Sequence, residues 1–342
     1  MNKKRLLIFG IGLAIAFGFV SYLRKDTPKL HHVTGQTMGS IWYNVKYVGA
    51  EVDGLDQEIA EELVAFNQSL STYIPSSEIS RLNKSGSLTF ESDYFFPVLQ
   101  KSKEIYRNTD GTFDPSIGPL VQAWGFGPDK KIPTLDSLKV DSLKSIIGFD
   151  QVIFDEDGVS VPENFQIDFS AIAKGYAVDV IGELLESKNI ARYLVEIGGE
   201  VRCRGENDED KPWSLGIEDP TTTPNEQRLM AIVRLKDLSL ATSGNYRNYY
   251  EQNGEIYAHI IDPRTGYTAK HNLLSASVFA PDCMTADAYA TAFMVLGLDY
   301  SREIIKVRDL DAILIYRSNN GIESFVSEGI QPFLEMNMAS GN

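Results

Sequence analysis

Apolar positions along this chain switch between helical and strand spacing without a regular order. Between residues 53 and 70, Leu55, Ile59, Leu63 and Phe66 fall on one face of a helix. A second helix is expected over 93–108, beginning around Pro97, and a short one over 137–147 before a hairpin at Asp157-Gly158. Residues 170–188 read as a helix that follows a short strand at 166–169. Residues 285–296 read as a helix ended by Gly297. Strand composition marks 40–48, 193–197, 213–217, 230–235 and 255–261, and a closing hairpin is expected from 312–316 and 322–326. Hairpin-rich strands mixed with helices outside a strict βαβ order predict an α+β fold.

One segment breaks the pattern. Lys3, Lys4 and Arg5 precede an uncharged stretch from residue 6 to 23, closed by Arg24 and Lys25. Such a stretch reads as a signal or membrane-anchor segment, and the heavier charge in front of it places the body outside. The expected organisation is therefore an N-terminal segment at 1–25, a polar linker at 26–35 that contains Pro28, and one continuous, bilobed domain at 36–336. The protein is expected to be exported and tethered to the cytoplasmic membrane, facing the periplasm or cell exterior.

The chain has 342 residues and a formal charge of −15, with 32 Lys and Arg against 47 Asp and Glu. No basic tract offsets that charge, which argues against a nucleic-acid partner. Two cysteines, Cys203 and Cys283, exclude a disulfide-dense scaffold and any multi-cysteine metal site. No G-x-G-x-x-G, Walker loop, H-E-x-x-H or C-x-x-C occurs.

The candidate chemistry lies in clusters of glycine and polar residues. Thr37-Met38-Gly39-Ser40 leads into a strand. Asp110-Gly111-Thr112-Phe113-Asp114-Pro115 runs on to Trp124-Gly125-Phe126-Gly127-Pro128. That irregular backbone beside aromatics suits a planar ligand, and equally a packed surface loop. In Asp168-Phe169-Ser170-Ala171-Ile172-Ala173-Lys174-Gly175, Ser170 is a candidate cap. The helix N-terminus with Lys174 one turn in would favour a phosphate, and an ordinary capped helix fits as well. His259, before Asp262-Pro263-Arg264-Thr265-Gly266, and His271 are the neutral-pH bases of the body. Asp287 and Thr291, four apart on a helix, offer two hard oxygens to Mg²⁺, or else the hydroxyl bonds back to its own helix.

Taken in order, these clusters, with Ser71-Thr72-Tyr73, Ser77-Glu78, residues 195–199 and residues 242–249, resemble the ApbE family, the FAD:protein FMN transferases. The resemblance runs from about Gly35 to Leu334 and implies a T-fold-like architecture. By position it implies FAD contacts from Met38, Tyr73, Thr112, Phe113, Asp114, Asp168, Lys174 and Ile261. It further implies Mg²⁺ held by the Ala171 carbonyl, Asp287 and Thr291, with His259 in the chemistry. Ala290 stands where some members carry a further Asp, and Lys174 where some carry an acid. The implied reaction is Mg²⁺-dependent transfer of FMN from FAD to a Thr or Ser hydroxyl of a target protein, with release of AMP. The targets expected are subunits of membrane redox complexes of quinone-reductase or electron-bifurcating type. The alternatives are an FAD pyrophosphatase, which yields free FMN, and an exported flavin-binding protein without turnover.

Overall fold

The computed structural model describes residues 29–125, 136–222, 228–244, 249–252, 255–258, 260–308 and 310–336. The expected N-terminal membrane segment lies outside them, and no helix among the described residues is long and apolar enough to cross a membrane. At the centre is an eight-stranded sheet: β1 (Lys29–Thr37), β2 (Ile41–Gly49), β3 (Tyr193–Ile197), β4 (Glu200–Arg204), β5 (Leu238–Gly244), β6 (Leu273–Ala280), β7 (Asp311–Ser318) and β8 (Gly321–Val326). Its spatial order is the chain order, and every neighbouring pair is antiparallel. The other elements are insertions between consecutive strands, apart from the strand Leu334–Met336 and the short helical turn before it, which follow β8. The long one between β2 and β3 carries helices α1 (Leu55–Leu70), α2 (Glu78–Ser85), α3 (Phe95–Asn108), α4 (Gly118–Ala123), α5 (Ser137–Lys144) and α6 (Ala173–Ser187). Helices α7 (Cys283–Leu296) and α8 (Leu298–Arg308) lie between β6 and β7.

The period of two along each strand divides the core between the sheet's faces. Val45, Val195, Val278 and Leu314 join α1, α3, α6 and α7 in one large apolar cluster. Their alternates Leu194, Phe279, Ile313 and Ile315 belong to a second cluster. That second cluster is closed by a three-stranded sheet of Leu334–Met336, Leu229–Leu235 and Trp213–Glu218. Each fully buried Leu, Ile or Phe here contributes roughly 1.5–3 kcal/mol. Helix α7 is apolar or small nearly all round, as a helix enclosed in a core must be. It begins two residues before the expected start because Asp282 caps it by accepting from the Thr285 amide at 2.7 Å. In α3, Pro97 sits in the first turn, where its missing N–H costs nothing.

Two expectations are corrected. Residues 29–35, read as linker, are strand. Val33 packs on the helix-side core and His31 stacks on Tyr47 at 4.7 Å. The domain thus begins by Lys29, not at residue 36. The strand expected at 166–169 does not form. Asn83 occupies both backbone groups of Ile167 instead, accepting from its N–H at 2.7 Å and donating to its carbonyl at 2.8 Å. The Asp168 amide donates to Pro115 O at 2.8 Å. A side chain and a loop thus take the place of a neighbouring strand.

Cys203 and Cys283 are both free, buried and on opposite faces of the sheet, Cys203 in the second cluster and Cys283 in the helix-side one. Burial pushes the Cys203 thiol up to about 12 and raises that of Cys283 as well. Both are expected to resist maleimide in the native protein and both to react after denaturation without reductant. A single unreactive pair in the denatured, unreduced chain would contradict this placement.

Candidate functional site

The candidate residues gather at one end of the central sheet, where three connections meet. Met38-Gly39-Ser40 joins β1 to β2, with Met38 at φ 47° and Gly39 at φ 89°. A non-glycine residue in the left-handed region is uncommon and marks a position worth its strain. Gly198-Gly199 joins β3 to β4, with φ 63° and 106°. A two-residue hairpin with both central residues left-handed selects glycine at these positions. This turn sets Glu200 opposite Ile197, which lies in the helix-side core, so the Glu200 side chain also faces the helices. At the end of β5, the Ser243 hydroxyl lies 3.3 Å from that of Thr291 on α7.

Helix α6 meets α7 at the same end. A Cβ on Gly175 would lie 2.2 Å from Cys283 O and 2.8 Å from Asp287 Cβ, so no other residue permits this approach. The Gly175 amide donates to Asp287 Oδ2 at 2.9 Å. One turn further along α6, Asp179 accepts from the Cys283 amide at 2.9 Å and the Met284 amide at 2.7 Å, and Arg202 donates to it at 3.0 Å. Asp179 therefore seats the start of α7 and fixes where Asp287 and Thr291 point. Lys174 reaches across to donate to Glu200 Oε1.

This geometry corrects the expected anion site at the start of α6. Ser170 does not cap the helix; its N–H and hydroxyl both donate to Asp168 Oδ1. The Ala173 amide is taken by Phe169 O, and that of Gly175 by Asp287. The anion at this helix end is the protein's own carboxylate. Lys174 is likewise engaged, with Glu200.

The loop at 110–116 is joined to the 168–175 segment through Pro115 and Asp168. Of the aromatics there, Phe113 is buried in the main core and Trp124 packs with Leu120, Ile147 and Ile261, donating to Gly266 O at 2.8 Å, which is the packed-loop alternative for these two residues. Thr112 is buried, its hydroxyl donating to Thr109 O at 2.9 Å. Asp114 accepts from the Ser116 amide at 2.8 Å and hydroxyl at 2.6 Å. Tyr73, at 81 % exposure, is the free aromatic of the set. Ala171 packs at the edge of the main core. Ile261 and Asp262 are both buried and form a short hairpin with Tyr267–Thr268, a pairing separate from that of strand 255–258. His259 lies outside the described residues, as do 126–128 and 245–248. His271 is structural: its Nε2 donates to Met294 O at 2.8 Å, its Nδ1 accepts from the Leu273 amide at 3.2 Å, and burial lowers its pKa.

The site's charges are two buried carboxylates against one ammonium. Asp287 is 3 % exposed, and burial raises its pKa despite Lys174 and the Gly175 amide. Glu200 is 2 % exposed, and burial raises it to about 7 against the pull of Lys174. Burial works against the Lys174 charge, but Asp287 and Glu200 together outweigh it and hold its pKa up. Among the described residues no three His, Cys, Asp or Glu side chains group as a metal site. A hard cation would therefore use mixed donors, the Asp287 carboxylate with the Thr291 hydroxyl and a backbone carbonyl such as that of Ala171. Two buried carboxylates with hydroxyl and carbonyl oxygens nearby fit such a cation, whose charge would favour their ionised forms. Glu200 was not singled out from the sequence, although Gly198-Gly199 after Ile197 was a signal for it, and Ser243 entered only as part of the 242–249 cluster.

Comparison with known proteins identifies the family. The model of the ApbE family matches residues 38–314. A Haemophilus influenzae protein named FAD:protein FMN transferase is 37% identical, over 97% of this chain and 98% of its own. One of the same name from Vibrio cholerae is 36% identical, over 89% and 92%. The solved structure of the flavin transferase ApbE from Vibrio cholerae superposes with a TM-score of 0.80 at 33% identity, covering 90% of this chain and 99% of that one.

Burial raises Asp114 to about 6, with the Ser116 hydrogen bonds opposing it. The folded state then binds this proton more tightly than the unfolded chain. Its contribution to stability is present below pH ~4 and is lost as pH rises through ~6, a swing of about 3 kcal/mol at most. Asp114→Asn should therefore gain on the wild type by up to that amount between pH 4 and 7 in urea unfolding. A difference independent of pH would contradict the assignment.

Proposed function

Because the chain belongs to the ApbE family, we propose that it transfers the FMN half of FAD to a threonine or serine hydroxyl of a target protein and releases AMP. The observation that carries this reading is the junction of Lys174, Glu200, Asp287 and Thr291, which sets an ammonium beside buried oxygen donors at the end of the sheet. In the transfer, the acceptor oxygen forms a bond to the FMN phosphorus, the bond from that phosphorus to the AMP oxygen breaks, and the hydroxyl proton passes to a base. His259 is the base proposed, on the family resemblance. Lys174 supplies positive charge where the two phosphates lie. Asp287 and Thr291, with the Ala171 carbonyl, would hold Mg²⁺. When bound, that ion supplies further neutralisation of the phosphate oxygens.

Met38, held in a left-handed turn beside β2, is proposed as a flavin contact, together with Ile261 and the 112–114 loop. Tyr73 offers an exposed ring to a planar group. The proposed acceptors are subunits of membrane redox complexes, and the apolar run at 6–23 with its basic flanks supports an exported, membrane-tethered enzyme that faces them.

The test is intact-protein mass spectrometry of a threonine-containing redox-subunit domain incubated with this protein, FAD and Mg²⁺, with AMP and free FMN followed by chromatography. The acceptor is expected to gain one FMN phosphoryl group as AMP appears. AMP with free FMN and no labelled acceptor would identify a pyrophosphatase instead, and bound FAD without AMP a flavin carrier. Asp287→Ala is expected to lose both turnover and its response to Mg²⁺; an unchanged metal response would discard the metal assignment.

A further inference from the structure

Glu200 is out of proportion to any structural need. It is 2 % exposed, one carboxylate oxygen holds Lys174, and the other, Oε2, is buried with no hydrogen-bond partner among the described residues. A carboxylate left half unsatisfied in a protein interior is costly, and a well-packed apolar pair would serve stability as well. The pair is also asymmetric. The Lys174 side chain keeps 30% of its surface exposed, whereas that of Glu200 keeps 2%. The carboxylate holds the ammonium from the buried side while the lysine keeps part of its surface exposed.

The surrounding backbone is built to hold this grip. The Gly198-Gly199 turn sets the register that turns Glu200 inward, and a slip of one residue would send it to the other face. A Cβ at Gly198 would come within 2.8 Å of Ile41 Cγ2 and 3.7 Å of both Lys174 Cδ and Glu200 Oε2, so this turn also packs against the lysine stem. Lys174 has a second carboxylate within electrostatic reach, Asp287. A lysine is a flexible point charge. Without Glu200 its nearest resting place is Asp287, the group assigned above to the metal.

We propose that Glu200 is a positioning residue of the transfer reaction: it holds the Lys174 ammonium off Asp287 and so fixes where that cation meets the phosphates of FAD. This rests on the transferase reading above and deepens it. Glu200 acts through Lys174 and touches neither phosphate nor acceptor.

The test compares the full chain with Glu200→Gln, Lys174→Met and the double variant. It follows AMP release from FAD in the presence of acceptor, and FAD affinity by flavin fluorescence. Glu200→Gln should lower kcat by about tenfold to a hundredfold, the range seen when partners of functional groups are removed. FAD affinity should stay within about threefold of the wild type, because the substitution removes an anion near the phosphates rather than a contact. In the Lys174→Met background, Glu200→Gln should cause no further loss. A wild-type kcat in Glu200→Gln, losses that multiply in the double variant, or FAD affinity falling in step with kcat would each overturn the proposal. Competitive acetylation separates the proposal from the reading beneath it. A wild type that releases no AMP contradicts the transferase, whereas Lys174 acetylating at the same rate in wild type and Glu200→Gln contradicts the positioning role with or without turnover.

Discussion

The structure depends on how closely α6 approaches α7 at Gly175. With no side chain there, the first turn of one helix lies against the first turns of the other, and the Gly175 amide reaches Asp287 inside the core. Four residues on, on the same face of α6, Asp179 receives the two leading amides of α7, which otherwise lack partners at a helix start. Two positions of one helix thus set the position and rotation of the other. Asp287 and Thr291 inherit their places from this contact, and Lys174, next to Gly175, inherits its reach toward Glu200.

The central sheet supplies the rest. Because its strand order follows the chain order, the turns β1–β2 and β3–β4 and the end of β5 come to the same end, where β4 delivers Glu200 to Lys174 and β5 delivers Ser243 to Thr291. The chemistry of that end is electrostatic. Two buried carboxylates stand beside one partly exposed ammonium at the place where an anionic dinucleotide is proposed to react. The divalent cation proposed above would offset the carboxylates, with Asp287 and Thr291 on α7 as its oxygen donors.

Much of this was legible in the sequence where local rules decide the outcome. The apolar spacing of Leu55, Ile59, Leu63 and Phe66 specified α1, and Gly297 ended α7 as expected. The clusters around Asp114 and Asp168 stood out through their glycine and polar residues, and Asp287 through its four-residue spacing to Thr291. What the sequence did not show depended on distant partners. Asn83 imitates a strand for Ile167, and Asp287 takes the amide that a phosphate was expected to use. Lys29–Thr37 reads as a polar stretch because, as an edge strand, it buries little beyond Val33 and Thr37. Glu200 looked like an ordinary charged residue after a turn, and only the hairpin register shows which way it faces.

The most direct test of the central contact is Gly175→Ala, a single methyl placed where Cys283 O and Asp287 Cβ leave no room. Overpacking of this kind costs about 1–3 kcal/mol or more. Far-UV circular dichroism should still report a folded protein with a lower Tm, while FAD binding in the presence of Mg²⁺, followed by flavin fluorescence on the folded fraction, should be lost. A Gly175→Ala protein that binds FAD with wild-type affinity would show that the site does not depend on the meeting of α6 and α7.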